Sequence, residues 1–220
     1  MKYSTTTAAC VLSVAGSALA VPLLSLKLDV GNNMTAADLA EKIAVVAPMS
    51  TSCSSQFPEC VNNTAMAPHF LNAFNLYEIT EPGQIAGVLA LTAFESGDYK
   101  YKHNTNPDHH GQGTSNQQMA EWNYKYAKSI PELKSEVAKQ DPGTSDAQKD
   151  AILNLVVPDE YNFGTGPWFL KNQCSPAVLT ALARGDDAGF QEYMGCVGTT
   201  MTEERQAYWN RAKSAFGLNK

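Results

Sequence analysis

The chain reads as a mainly α protein, and three features of its sequence say so. Apolar residues recur at three- and four-residue spacing, in segments that open on Thr, Ser or Pro and close on Gly or Pro. No stretch of useful length alternates apolar and polar residues with the period of two that a half-buried strand requires. Four cysteines, Cys53, Cys60, Cys174 and Cys196, stand as two neighbouring pairs, a spacing that suits local staples between short helices.

The elements follow in order. Residues 1–20 have the plan of a secretory leader, with Lys2, then a small and apolar run through Val11, Leu12 and Val14, then Ala18-Leu19-Ala20 as a cleavage site. That leaves 21–220 as one domain. Thr35 with Asp38 opens the first helix, whose apolar face is Leu39, Ala40, Ile43, Ala44 and Val46 and which Pro48 stops. Residues 50–63 form a loop that Cys53 and Cys60 can close. Pro68 starts a helix carrying Phe70, Leu71 and Phe74.

The next helix, 85–94, is almost unbroken apolar sequence, with Thr80 as N-cap, Pro82 in the first turn and Gly97 as its stop. Residues 98–115 have no helical period. Helical stretches follow near 117–128, 131–140 and 144–156, then a turn-rich aromatic patch at 159–169. Ser175-Pro176 opens another helix that Gly185 closes, and the last begins at Thr200 or Thr202, carries Tyr208, Trp209, Ala212 and Phe216, and ends at Gly217.

Charge and cysteines bound the function. The formal charge is -6, and loss of Lys2 with the leader makes the mature chain more acidic still, so nucleic acid is not an expected partner. The apolar helix is about half the roughly 20 residues needed to cross a bilayer, so no membrane partner is expected either. Cys10 leaves with the leader. Four cysteines permit more than one connectivity, but the short loop and the helical hairpin that the pairs enclose favour Cys53–Cys60 and Cys174–Cys196 in an oxidising, extracellular compartment. Asn33 and Asn62 lie in Asn-x-Thr sequons, the acceptors of glycosylated surface loops.

Glu95 is the leading candidate for chemistry. It ends the apolar helix and shares a face with Val88, Leu91 and Thr92. Apolar surroundings and the negative end of the helix dipole both disfavour its anion, which is how a glutamate becomes a general acid near neutral pH. The polar segment after it can line a cleft. A serine hydrolase is disfavoured, because Phe94-Glu95-Ser96-Gly97 lacks the Gly-x-Ser-x-Gly elbow. Cysteine catalysis would need a thiol outside the bridges. His103, His109 and His110 with Asp108 invite a metal reading, but they lack helical His-x-x-x-His spacing, so neither metal nor cofactor is expected.

Glu95-Ser96-Gly97 at the end of a buried helix, followed by Gly111-Gln112-Gly113-Thr114-x-Asn116-x-Gln118, resembles the active-site stretch of goose-type lysozymes and soluble lytic transglycosylases. The cysteine loop, Gly166-Pro167-Trp168-Phe169-Leu170, Glu204-Arg205 and Tyr208-Trp209 extend the likeness to most of the mature chain, which resembles the secreted fungal muramidases of glycoside hydrolase family 184. The chain departs from that pattern at 105–110, where it reads Thr-Asn-Pro-Asp-His-His, and at Asn116-Gln117-Gln118-Met119, where the bacterial relatives have Leu-Met-Gln.

The resemblance implies a lysozyme-like single domain that cleaves β-1,4 linkages of peptidoglycan, with Glu95 protonating the bridging oxygen. Chitin-type polymers are the next substrate. Asp98 or Asp108 would act as the second carboxylate, unless the substrate's own acetamido group or 6-hydroxyl serves instead. Tyr99 and Tyr101 are expected to contact sugar, with Gln112, Thr114, Asn116 and Gln118 orienting its hydroxyls, while Trp122 and Tyr126 share a helix face and belong to the core. For an acidic protein to act on an anionic wall, either the working pH is acidic or Lys100, Lys102 and the histidines supply positive charge near the cleft. The enzyme would be a monomer whose partner is the polysaccharide. A second expectation, favoured by the altered 105–110 loop, is a secreted glycan-binding or host-interaction protein without turnover.

Overall fold

The computed structural model describes residues 34–141 and 145–219, and over these the chain is mainly α, with two isolated β-bridges and no strand. The expected leader and the Asn33 sequon lie outside the described residues. Helix α1 (Ala36–Val46) opens on the expected capping box, Asp38 N donating to Thr35 Oγ1 and Thr35 N to Asp38 Oδ2. Helix α2 (Asn63–Leu76) begins earlier than expected, because Asn62 Oδ1 accepts from Ala65 N and caps it, leaving Pro68 inside the helix. Helix α3 (Pro82–Glu95) has Glu81, not Thr80, at its cap position.

Helix α4 (Ala120–Ser129) starts later than its sequence suggests, since Thr114 and Gln117 adopt positive φ and Gln118 O accepts from Gly113 N. Then come α5 (Lys134–Val137) and α6 (Asp146–Val156), the latter capped by Ser145. The aromatic patch read as turns is helical: α7 (Asp159–Asn162) leads into α8 (Thr165–Gln173), where Pro167 sits in a first turn that loses no hydrogen bond to it. The chain ends in α9 (Pro176–Ala183), α10 (Asp187–Cys196) and α11 (Glu203–Phe216).

Every residue of α3 from Gly83 to Ala93 is buried, so this helix is the axis of the core. Its fully buried Ile85, Val88 and Leu89 each contribute about 1.5–3 kcal/mol of burial. Helix α11 runs along α3 and buries Trp209, whose ring stacks on Phe190 with centroids 4.5 Å apart. Helix α9 closes on α3 at Gly83, where a Cβ would lie 2.3 Å from Leu182 O, so only glycine allows the approach. Both disulfides pair as expected, Cys53–Cys60 closing a surface loop and Cys174–Cys196 tying the end of α8 to the end of α10. Such bridges fit an extracellular protein. Among the described residues no helix is long and apolar enough to cross a membrane.

The exit from α3 is sharp. Gly97, Asp98 and Tyr99 all hold φ near +60°, and the two with side chains cost about 1–2 kcal/mol each there. The surroundings hold them in place. Asp98 Oδ2 accepts from Met49 N at 3.0 Å and Oδ1 from Tyr208 Oη at 2.5 Å, while Tyr99 N donates to Ser96 Oγ and Val61 N to Tyr99 O. The segment after this turn doubles back on itself: Asn104 N donates to Gln112 O, Thr114 N to Lys102 O. Its free edge is pinned to the disulfide loop by Glu59, whose carboxylate accepts from Lys102 N, His103 N and the His103 ring. Those bonds outweigh burial and hold the Glu59 carboxyl below its ordinary range.

Candidate active site

Glu95 opens onto a cavity of about 210 Å³. Leu91, one turn back on α3, lines it with Glu95, as the shared helix face requires. Gln112, Asn116, Gln117, Gln118 and Met119 of the returning loop form a second side, Trp122 and Phe169 a third, and Val197, Thr199 and Arg205 the fourth. Three residues expected from sequence, Gln112, Asn116 and Gln118, therefore stand with Glu95.

Opposite the acid stands a wall of amides that brace one another. Gln112 Oε1 accepts from Asn104 Nδ2 at 2.9 Å and from His109 Nδ1 at 2.6 Å, while its Nε2 donates to Gln117 O. Gln118 Nε2 donates to Asn123 Oδ1, and Asn123 Nδ2 donates in turn to Gly111 O and Gln118 O. Asn116 Nδ2 reaches Gln118 Oε1 at 3.4 Å, and its buried Oδ1 has no hydrogen-bond partner among the described residues. Fixed amides on one side and the Trp122 ring on the other make a polar and apolar surface suited to a neutral, hydroxyl-rich ligand.

Glu95 itself is 24% exposed at the side chain and carries one ion pair, Arg205 Nη2 to Oε1 at 3.1 Å. Two forces oppose each other there. Burial raises the proton affinity of the carboxyl, the Arg205 hydrogen bond and charge lower it, and burial wins, so the group titrates above its ordinary value near 4.5. The guanidinium also lies over the Phe94 ring, 4.6 Å from its centroid, and Nη1 donates to Thr200 O at 3.3 Å. Its buried Nε has no acceptor among the described residues. Tyr193 on α10 is fully buried, its hydroxyl has no partner among the described residues, and burial, then the Glu95 charge, push its phenol up.

Other expected site residues lie elsewhere. Asp98 is 4% exposed with both oxygens engaged by Tyr208 and Met49, so it is a clamp for the turn and does not line the cavity. Asp108 is exposed at the outer edge of the loop, its N–H donating to Asn106 Oδ1. Tyr99 is swung inward by the left-handed turn, packs edge-on to Phe70 and Phe163, and bonds Thr92 Oγ1 at 3.1 Å. Tyr101 packs against Phe57 outside the cavity, and Thr114 is fully buried behind the wall.

The expected cations are placed differently as well. Lys102 pairs with Asp159, and Lys100 reaches Met49, so Arg205 is the cation at the acid. The histidines go to separate partners: His103 to Glu59, His109 to Gln112 and His110 to Asp150 at 2.7 Å. Among the described residues no three His, Cys, Asp or Glu side chains gather as a metal site. Residues 105–110, where the chain departs from the muramidase pattern, are exposed and outside the cavity. Sequence reasoning missed Arg205 as a partner of Glu95 and placed Trp122 in the core, whereas it is a half-buried cavity wall. Asn62 is half-buried, and its Oδ1 also accepts from Thr64 Oγ1, so the sequon is folded into the helix cap.

No family model matches the chain, and no solved structure does. Over 158 residues, 70% of this chain, it is 48% identical to a bifunctional dioxygenase–epoxy alcohol synthase of Fusarium oxysporum. The chain spans 12% of that protein's length, so the oxidative activities in the name belong to a much longer polypeptide.

Proposed function

We propose that the chain is a secreted glycoside hydrolase that cleaves β-1,4 linkages of amino-sugar polymers, peptidoglycan first, with Glu95 as general acid. The observation that carries the reading is a glutamate of raised proton affinity facing a braced wall of neutral amides and a tryptophan across one small cavity. A buried acid supplies the proton and the amides orient hydroxyls. The two disulfides support an extracellular setting.

Among the described residues Glu95 is the one carboxylate that lines the cavity, which favours a single-acid route. In it Glu95 gives its proton to the bridging oxygen as the C1–O bond breaks, and the substrate's acetamido oxygen bonds to C1. Water then attacks C1, displaces that oxygen and returns a proton to Glu95. No second protein carboxylate is required.

A turbidity assay on peptidoglycan tests this, with reducing ends measured in parallel. Wild type should clear the suspension and Glu95→Gln should not; identical behaviour of the two at every pH would end the enzymatic reading. The second reading, glycan binding without turnover, is favoured by the Arg205–Glu95 pair, which opposes protonation of the acid. Retention on insoluble glycan with no new reducing end would select it. The likeness to the Fusarium protein supports kinship with one segment of a longer chain and assigns no residue role.

A further inference from the structure

Arg205 is placed to do more than neutralise Glu95. It reaches the acid through Nη2 alone, although a guanidinium can offer a carboxylate two parallel donors. It lines the cavity, and its buried Nε lacks an acceptor among the described residues. The neighbours that fill the walls are uncharged amides, a threonine and apolar side chains, so within the cavity Arg205 meets a ligand's negative charge unopposed except by Glu95.

We propose that Arg205 is the residue that selects a carboxylate-bearing amino sugar over a neutral one, exchanging Glu95 for the ligand's carboxylate as the glycan binds. The inference rests on reading this cavity as a glycan site and names the substrate class within it, wall glycan whose lactyl carboxylates are free of stem peptide. The exchange has a consequence for the acid. Once the guanidinium turns to the ligand, burial acts on Glu95 without its counterweight, and the ligand's own negative charge adds to it, so the proton affinity of the carboxyl rises further when a substrate is present. A neutral polymer leaves the pair intact and the acid less protonated. Arg205 is thus a specificity and positioning residue for Glu95. The other groups that face this pair are Tyr193 from α10, whose phenol senses the Glu95 charge, and Glu204 from the first turn of α11, whose carboxyl senses Arg205.

Soluble amino-sugar oligosaccharides with a free lactyl carboxylate test it, titrated calorimetrically beside the same oligosaccharides reduced to the alcohol at that carbon. Wild type should bind the acid form about tenfold tighter, the equivalent of one charge-assisted hydrogen bond. Arg205→Gln should bind both forms alike. Glu95→Gln should bind the acid form more tightly than wild type does, because the competing carboxylate is gone, and the alcohol form unchanged; a merely structural ion pair would show no such gain. Equal or absent binding of the two forms by wild type overturns the proposal, as does no gain in Glu95→Gln. Should Arg205→Gln fail to fold, the wild-type and Glu95→Gln titrations decide. None of these arms needs turnover, so a chain that prefers the acid form but releases no reducing end would keep this inference and lose the catalytic one.

Discussion

Tyr208 Oη donates to Asp98 Oδ1 at 2.5 Å, joining the turn behind the acid to the last helix across 110 positions of sequence. Burial, reinforced by that carboxylate, pushes the Tyr208 phenol up to about 12. Asp98→Asn can keep both bonds, Oδ1 accepting from Met49 N and Nδ2 donating to Tyr208. It should therefore retain activity within a few-fold of wild type, whereas loss of a catalytic base would cost orders of magnitude. Tyr208→Phe removes a hydrogen bond to a charged group and should lower stability by about 2 kcal/mol in chemical denaturation.

Glu95 should make the fold weaker at neutral pH. Its folded-state proton affinity is raised, so its favourable contribution is complete below the ordinary carboxylate value near 4.5 and is lost as pH rises through the higher folded value. Glu95→Gln does not ionise. Its melting temperature should exceed that of wild type at pH 7, and the gap should shrink as pH falls through the raised folded value and be closed below about 4.5. A constant gap across that range would contradict this.

Glycan binding should be visible in tryptophan fluorescence. Of Trp122, Trp168 and Trp209, the latter two are 3% and 0% exposed, and Trp122 alone lines the cavity. Emission should shift on titration with an amino-sugar oligosaccharide, and Trp122→Phe should abolish the shift. Trp122→Ala should also weaken binding, by about 1–2 kcal/mol for loss of one aromatic face.

The two disulfides should differ in worth. By loop-closure entropy the separation of 22 between Cys174 and Cys196 stabilises by about 3 kcal/mol, and that of 7 between Cys53 and Cys60 by about 2 kcal/mol. The larger one also anchors Val197 and Thr199, which follow Cys196 into the cavity wall. Replacing Cys174 and Cys196 by serine should thus lower the urea midpoint more than replacing the other pair, and should reduce activity as well.

Glu59→Gln should release the loop edge. Glu59 is held below its ordinary value, so its contribution is present above pH 4.5 and is lost as pH falls through the lower folded value. Amide exchange at Lys102 and His103, whose N–H groups it accepts, should quicken in the variant at neutral pH. In wild type the protection of the same amides, relative to their intrinsic exchange rates, should fall only in acid.

Local signals made α3 and its acid legible in the sequence: an unbroken apolar run, a proline in the first turn and a glycine beyond the end. The amides at 112, 116 and 118 were legible too, because a polar loop directly after a buried helix must cover that helix's end. Tyr99 was not, since a run of polar residues predicts a solvent-facing loop, while three residues of positive φ turn its ring into the core. Trp122 and Tyr126 share a face, but Tyr126 is 2% exposed and Trp122 sits a turn nearer the cavity mouth. The pairing of Arg205 with Glu95 spans 110 positions, a relationship that no periodicity or cap records.

The cavity combines two ranges of sequence separation. Its acid, amide wall and indole all fall between Leu91 and Trp122, whereas Arg205 enters from α11. Contacts that close short loops form ahead of those that close long ones. During refolding, the acid and its wall should therefore meet before the guanidinium docks. Docking of the last helix then closes α11 over α3 and brings Glu95 its counter-charge in one event.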